Sequence, residues 1–293
     1  MKIIRTINEL KDVIKKIKLE NNLIGFVPTM GYLHEGHLQL VKTSKKQANI
    51  TVVSIFVNPL QFGPNEDYET YPRDFVRDQT LLEQEKVDIL FCPSVEEMYP
   101  HALTSSLVVN DRTNVLCGRT RVGHFEGVAT VLTKLFHIVQ PDKVFMGSKD
   151  AQQVAVVMGL VEDLNFNTTI VPVPTVRESD GLAKSSRNIF LTESERNEAK
   201  YLYQSLLLGQ KLFEESTDIE YIKSKIIDFL DCNTTGVLDY MEILSYPELK
   251  EVEDLSKSII IALAMKYSKA RLIDNIIFTN RTSEEENKKC SAQ

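Results

Sequence analysis

Short β-branched runs and amphipathic helical segments take turns over the first 175 or so residues, and this alternation constrains the fold more than any other feature. Leu23–Val27, Thr51–Val57, Ile89–Phe91, Lys143–Phe145 and Thr169–Val173 read as strands. Helical segments fall between them, over about Gly36–Gln47, Leu81–Glu85, Phe125–Val139 and Ala151–Leu164. Ile7, Leu10, Ile14 and Ile17 recur at helical spacing and open the chain with a further helix. Strands separated by helices point to a parallel sheet with crossover helices on its faces. The unbroken apolar character of Thr51–Val57 marks it as a strand buried on both sides. Pro28 is expected to end the first strand and Pro93 the third. The class expected for residues 1–175 is therefore α/β, a Rossmann-like doubly wound parallel sheet.

The rhythm then changes. Thr192 followed by Glu195 is a capping-box pattern, and a long helix is expected from there to about Glu215. A second helix covers about Ile219–Leu230, then an extended piece Leu238–Leu244 and two strand-like runs, Ile259–Met265 and Ala270–Phe278. Helices followed by sequential strands indicate a smaller α+β domain over 176–293. The tail Thr282–Gln293 is polar and expected to be frayed.

A net charge of −7 argues against a general basic surface for nucleic acid, though not against a local basic pocket for a phosphorylated ligand. The four cysteines, Cys92, Cys117, Cys232 and Cys290, form no CxxC pair and read as a reduced, cytosolic set. No apolar run approaches the roughly 20 residues of a membrane span, and the start lacks the pattern of a secretory signal. A cytoplasmic protein is expected, with neither nucleic acid nor membrane as a partner.

Four clusters carry chemistry. Pro28-Thr29-Met30-Gly31-Tyr32-Leu33-His34-Glu35-Gly36-His37 follows the first strand directly and holds two of the five histidines. Its glycines allow backbone to approach a ligand, and the following helix offers free N–H groups and a dipole that favours anions. Imidazoles there can stabilise charge developing on a phosphate oxygen. No third ligand supports a zinc site. Asn58 and Gln61 follow the next strand, where open α/β sheets place ligands, and suit a substrate with hydroxyls and a carboxylate. Gly147-Ser148-Lys149-Asp150 repeats the cradle logic with a lysine at its mouth, and Gln152 and Gln153 follow. The loop Val176–Asn188 carries Lys184, Ser185, Ser186 and Arg187 beside Gly181, a run of donors able to close over triphosphate. With neither a P-loop nor a GxGxxG fingerprint, these clusters describe a nucleotide-binding enzyme acting at the α-phosphate.

The blocks PTMGYLHEGH, SIFVNPLQFGPNED, YPRD, VFMGSKDAQQ and VPTVRESDGLAKSSRN, in that order from Pro28 to Asn188, resemble those of the pantoate–β-alanine ligase family in the HIGH-motif nucleotidyltransferase superfamily. The resemblance implies a two-step reaction. Pantoate attacks the ATP α-phosphate to give pantoyl adenylate and pyrophosphate, and β-alanine then displaces AMP to give pantothenate. It implies that Met30, Gly31, Tyr32, Leu33, His34, Glu35, Gly36 and His37 form the first ATP-binding segment, with His37 the proton donor. Gln61 and Gln153 would hold pantoate, and Gln61 would also line the β-alanine path. Gly147, Ser148, Lys149, Asp150 and Val176 would contact nucleotide, and Lys184, Ser185, Ser186 and Arg187 would form the closing loop. Asp78 is assigned as a carboxylate associated with Mg²⁺, which rides with the phosphates. A homodimer is also implied. Many family members carry Met where this chain has Lys184, and a lysine pointing into solvent is the preferred reading of that departure. Two rival readings remain: another HIGH-type nucleotidylyltransferase acting on a phosphorylated acceptor, and a non-catalytic nucleotide-binding protein.

Overall fold

The computed structural model describes residues 1–64 and 66–279, so the Thr282–Gln293 tail lies outside the described residues. Residues 1–113, 120–148 and 156–176 form one unit, and residues 114–119, 149–155 and 177 onward form a second.

The first unit is built on a six-stranded parallel sheet in the order β1-β4-β3-β2-β5-β6. The strands are β1 (Lys2–Ile4), β2 (Ile24–Thr29), β3 (Ile50–Ile55), β4 (Ile89–Phe91), β5 (Lys143–Gly147) and β6 (Thr169–Val173). Helices α1 (Ile7–Leu19), α2 (Glu35–Gln47), α3 (Phe75–Gln84), the single turn α4 (Val95–Met98), α5 (His124–Val139) and α6 (Ala151–Asp163) connect them. Phe26, Val52, Phe91 and Phe145 are fully buried on the sheet. The chain runs from β2 outward through β3 to β4, whereas β5 continues to β6 on the other side. The topological switch point therefore lies between β2 and β5, and ligands of open α/β sheets bind outside the carboxyl ends of strands at such a point.

Two details differ from expectation. The chain opens on β1, whose three residues are too few to show a period. Pro28 does not end β2 but sits inside it. Leu23 and Thr29 offer their carbonyls to β3 and Ile24 offers its carbonyl to the β5 side, so by alternation Pro28 faces β5. The β2–β5 pairing covers only Gly25 and Phe26, and the missing N–H of Pro28 therefore costs no ladder bond.

The second unit carries the antiparallel sheet β7 (Val237–Ser245), β8 (Ser258–Lys266) and β9 (Arg271–Thr279), in that order. Thr192 and Glu195 close their capping box, but the expected single helix is two, α7 (Glu193–Glu198) and α8 (Lys200–Glu215). At the joint the Leu202 N–H bonds the Ala199 carbonyl, three residues back instead of four. Helix α9 (Ile219–Asn233) follows. Ile259, Ile261 and Leu263 of β8 pack with Leu202, Leu206, Ile222 and Ile226. Ile260 and Ala262, on the opposite face, pack with Leu116, Ala151 and Ala155. Segments 114–119 and 149–155 thus group with this unit because they cover the second face of its sheet. Among the described residues, no helix is long and apolar enough to cross a membrane.

Candidate active site

The turn after β2 is shaped by two consecutive left-handed residues, Gly31 (φ +84°) and Tyr32 (φ +50°). That conformation is open to glycine and costly for tyrosine. It aims successive N–H groups at one point, and there Asp78 of α3 receives them. Tyr32 N donates to Asp78 Oδ2 at 2.6 Å and Leu33 N to Asp78 Oδ1 at 2.7 Å. A Cβ on Gly31 would stand 3.0 Å from both Asp78 Oδ2 and Ile55 Cγ2. Burial pushes the Asp78 carboxyl above its ordinary range, against the two N–H bonds and the Arg77 charge that pull it down. Each Asp78 oxygen thus accepts one backbone N–H of the turn. Among the described residues, no three His, Cys, Asp or Glu side chains group as a metal-ligand set.

The two histidines of the turn cap α2 reciprocally. His34 Nδ1 accepts from Gly36 N at 3.1 Å, and His37 Nδ1 accepts from His34 N at 3.3 Å. Their rings lie 4.2 Å apart, tilted by 43°. Because each Nδ1 accepts a backbone N–H, each neutral ring must carry its proton on Nε2. Local helix-capping geometry thereby selects the tautomer with the proton on Nε2. Met30 and Tyr32 are half-buried, Leu33 is buried, and Glu35 is exposed.

Gln61 ends a short 3₁₀ turn, Pro59–Gln61, capped by the Asn58 side chain. It is buried at 9% exposure, and its Nε2 lies 3.0 Å from Met30 Sδ, so the structure joins the first two clusters. Asn58 organises the group. Its Nδ2 donates to Gln61 Oε1 at 3.2 Å and to the Gly127 carbonyl at 3.0 Å, and its Oδ1 accepts from Tyr99 OH at 2.9 Å. Burial pushes the Tyr99 phenol up, which keeps it a neutral donor. Sequence reasoning missed Tyr99, Arg121 and His124. Arg121 pairs with Glu66, and His124 Nδ1 lies 2.8 Å from the Gln61 carbonyl. An arginine and a histidine at the start of a helix were the available signal, since the helix dipole there disfavours a cation and calls for a counter-charge.

Gly147 ends β5 at the switch point, and Ser148, Lys149 and Asp150 form a 3₁₀ turn. In the second unit the Lys149 carbonyl accepts from Asn275 Nδ2 at 2.8 Å. Gln152 donates to the Val115 carbonyl and is buried, whereas Gln153 is half-buried. Val176 is half-buried and closes the first unit. The loop beyond it is rooted by Arg177, which forks onto Asp274 at 2.6 and 2.9 Å and lies 3.6 Å over the Tyr203 ring. Ser185 caps a 3₁₀ turn containing Ser186 and Arg187. Lys184 does not simply point into solvent. Its side chain is 26% exposed, and its Nζ stands 3.8 Å from Glu178, which also pairs with Arg196 at 3.2 Å.

Known proteins resemble this chain over most of its length. A sequence profile for pantoate-beta-alanine ligase matches residues 2–277. The pantothenate synthetase of Listeria monocytogenes is 55% identical over 280 residues, covering 94% of this chain and 97% of that protein. That of a Geobacillus species is 52% identical over 271 residues, covering 92% and 96%. The crystal structure of pantothenate synthetase from Thermus thermophilus superposes with a TM-score of 0.87 at 42% identity, covering 94% and 99% of the two chains. The pantoate-beta-alanine ligase of Francisella tularensis, complexed with β,γ-ATP and β-alanine, superposes at 0.77 with 35% identity, covering 96% and 98%. Matched over nearly its whole length in sequence and in fold, the chain belongs to the pantoate-beta-alanine ligase family.

Proposed function

We propose that the ATP-dependent ligation of pantoate to β-alanine, the reaction of this family, runs here through a pantoyl adenylate formed at the turn after β2. The carrying observation is the capped histidine pair, with both Nδ1 atoms bonded to backbone and both Nε2 atoms left to bear the proton. In the first step the pantoate carboxylate attacks the α-phosphorus, and pyrophosphate leaves. Two anions meet, so fixed donors facing the phosphates lower the barrier without reorganising. His37 donates an N–H to the phosphate oxygens as charge builds, and His34 assists it. In the second step the β-alanine amine attacks the mixed anhydride and expels AMP.

Gln61, with its amide ordered by Asn58, holds pantoate and borders the β-alanine path. Gln153 is its assigned partner. Met30, Gly31, Tyr32, Leu33, Glu35, Gly36, Gly147, Ser148, Lys149, Asp150 and Val176 are assigned to nucleotide, and Lys184, Ser185, Ser186 and Arg187 to the closing loop, by family resemblance. Mg²⁺ arrives with ATP, and a cytoplasmic homodimer completes the reading.

The test is product analysis paired with a variant. Pantothenate and AMP should form together only when ATP, pantoate and β-alanine are all present. His37→Ala should slow the reaction by roughly 10²–10³-fold, the order lost with one transition-state donor. A nucleotide-activated product, or wild-type turnover in His37→Ala, overturns the proposal.

A further inference from the structure

We infer that Glu66, Arg121 and His124 form a positioning relay that runs from the Glu66 carboxylate to the Gln61 carbonyl and sets the Gln61 amide for pantoate. The inference rests on the reading that Gln61 holds pantoate. Arg121 Nε and Nη2 donate to Glu66 Oε1 and Oε2 at 2.7 and 2.6 Å, a bidentate fork that fixes the guanidinium plane. The remaining Nη1 lies 2.9 Å from His124 Nε2. Arginine can only donate, so Nε2 accepts and the His124 proton sits on Nδ1. Nδ1 lies 2.8 Å from the Gln61 carbonyl, which can only accept. Every contact of the relay thus has one permitted direction, from arginine through imidazole to backbone. This is the opposite tautomer from that selected at His34 and His37.

The relay ends on reactive ground. Gln61 is the residue whose side chain meets Met30 of the nucleotide turn at 3.0 Å. His124 is 9% exposed, a buried polar group that must be satisfied on both nitrogens to be tolerated. Burial raises the Glu66 carboxyl, but the Arg121 hydrogen bonds and charge and the Gly63 N–H outweigh it and hold the group below its ordinary range. Arg121 cannot be replaced by lysine without losing the fork.

The experiment compares Arg121→Lys, His124→Asn, His124→Ala and Gln61→Ala in the full chain, varying pantoate and ATP separately, with histidine ¹⁵N spectra of wild type and Arg121→Lys. Asparagine keeps an N–H near the position of Nδ1. Arg121→Lys is expected to raise the pantoate KM by roughly 10-fold or more with the ATP KM near wild type, as for displacement of one binding loop. His124→Asn should recover most of what His124→Ala loses, and the Nδ1–H signature of His124 should weaken in Arg121→Lys. Arg121→Lys and His124→Asn keep the test decisive should His124→Ala not fold. A selective pantoate defect in Gln61→Ala, with Arg121→Lys and His124→Asn at wild-type values, overturns the relay alone. Wild-type pantoate kinetics in Gln61→Ala overturn the reading of Gln61 and the relay with it. Equal losses for pantoate and ATP, together with a lowered Tm, make the three residues merely structural and also overturn the relay.

Discussion

Replacing Gly127 by Ala drives a methyl group into the backbone of the Gln61 loop. An ideal Cβ at this position stands 2.2 Å from the Leu60 carbonyl oxygen, 2.5 Å from its carbon and 2.6 Å from Gln61 Cα. Real Cβ atoms keep at least 3.0 Å, so helix α5 and the loop must separate by 0.8 Å or more (3.0 less 2.2 Å). No flexible side chain can absorb this, because all three obstructing atoms are backbone. The same movement stretches the Asn58 bond to the Gly127 carbonyl, now 3.0 Å, and with it the alignment of the Gln61 amide. Misplacing a binding group by about 1 Å costs on the order of 10²-fold. At about 1.36 kcal/mol per tenfold, kcat/KM for pantoate should fall by about 2.7 kcal/mol. Overpacking should also lower stability by roughly 1–3 kcal/mol, which leaves a folded protein to assay. Initial rates of AMP formation, with pantoate varied at saturating ATP and β-alanine, read the effect, and a thermal melt confirms folding. A folded Gly127→Ala variant with wild-type kcat/KM for pantoate would show that the Gln61 loop tolerates displacement without consequence for the substrate, contrary to this prediction.

Three further outcomes are expected. Asp78→Asn leaves one of the Tyr32 and Leu33 N–H groups facing an amide donor, so stability should fall by about 1–3 kcal/mol and the ATP KM should rise; an unchanged ATP KM would detach Asp78 from the nucleotide turn. Lys184→Met should change turnover little, since Glu178 keeps Arg196 and a partly exposed pair contributes about 0–1 kcal/mol; a large loss in steady-state rate would place Lys184 on phosphate. Glu195 is held down to about 2 by N–H groups of Thr192 and Ser268. Its folded pKa lies below the ordinary 4.5, so its stabilisation is complete above pH 4.5 and is lost as pH falls toward 2. Acid titration of Glu195→Gln should therefore show a shallower loss of stability across that window, and an unchanged slope would contradict the capping argument.

Much of the fold could be read from the sequence because its signals are local. Periodicity at Ile7–Ile17 and the apolar runs around Val52, Leu90 and Val144 need no partner to be recognised. The parallel sheet and smaller antiparallel one follow from the order of those elements. The turn from Pro28 to His37 was legible for the same reason, its glycines and histidines being contiguous. What escaped depends on contacts far along the chain. Pro28 can stay within β2 only because β5 stops pairing at Val144, which no local pattern announces. Asp78 reaches back 46 residues to Tyr32, so its bonds to the backbone N–H groups of the turn could not be read from any local pattern. Glu66, Arg121 and His124 meet only once α5 is docked beside the Gln61 turn, a separation of 63 residues between His124 and Gln61. Segments 114–119 and 149–155 join the second unit through the far face of β8. An apolar run such as Ser258–Lys266 shows that both faces are covered but not what covers them.

In the proposed mechanism the carboxylate is activated at the capped histidines before any amine arrives. Incubating the enzyme at micromolar concentration with ATP, Mg²⁺ and pantoate, with β-alanine withheld, measures this directly as pyrophosphate release. A burst close to one pyrophosphate per active site is expected, dependent on pantoate and suppressed in His37→Ala. Pyrophosphate that appears only after β-alanine is added would contradict it.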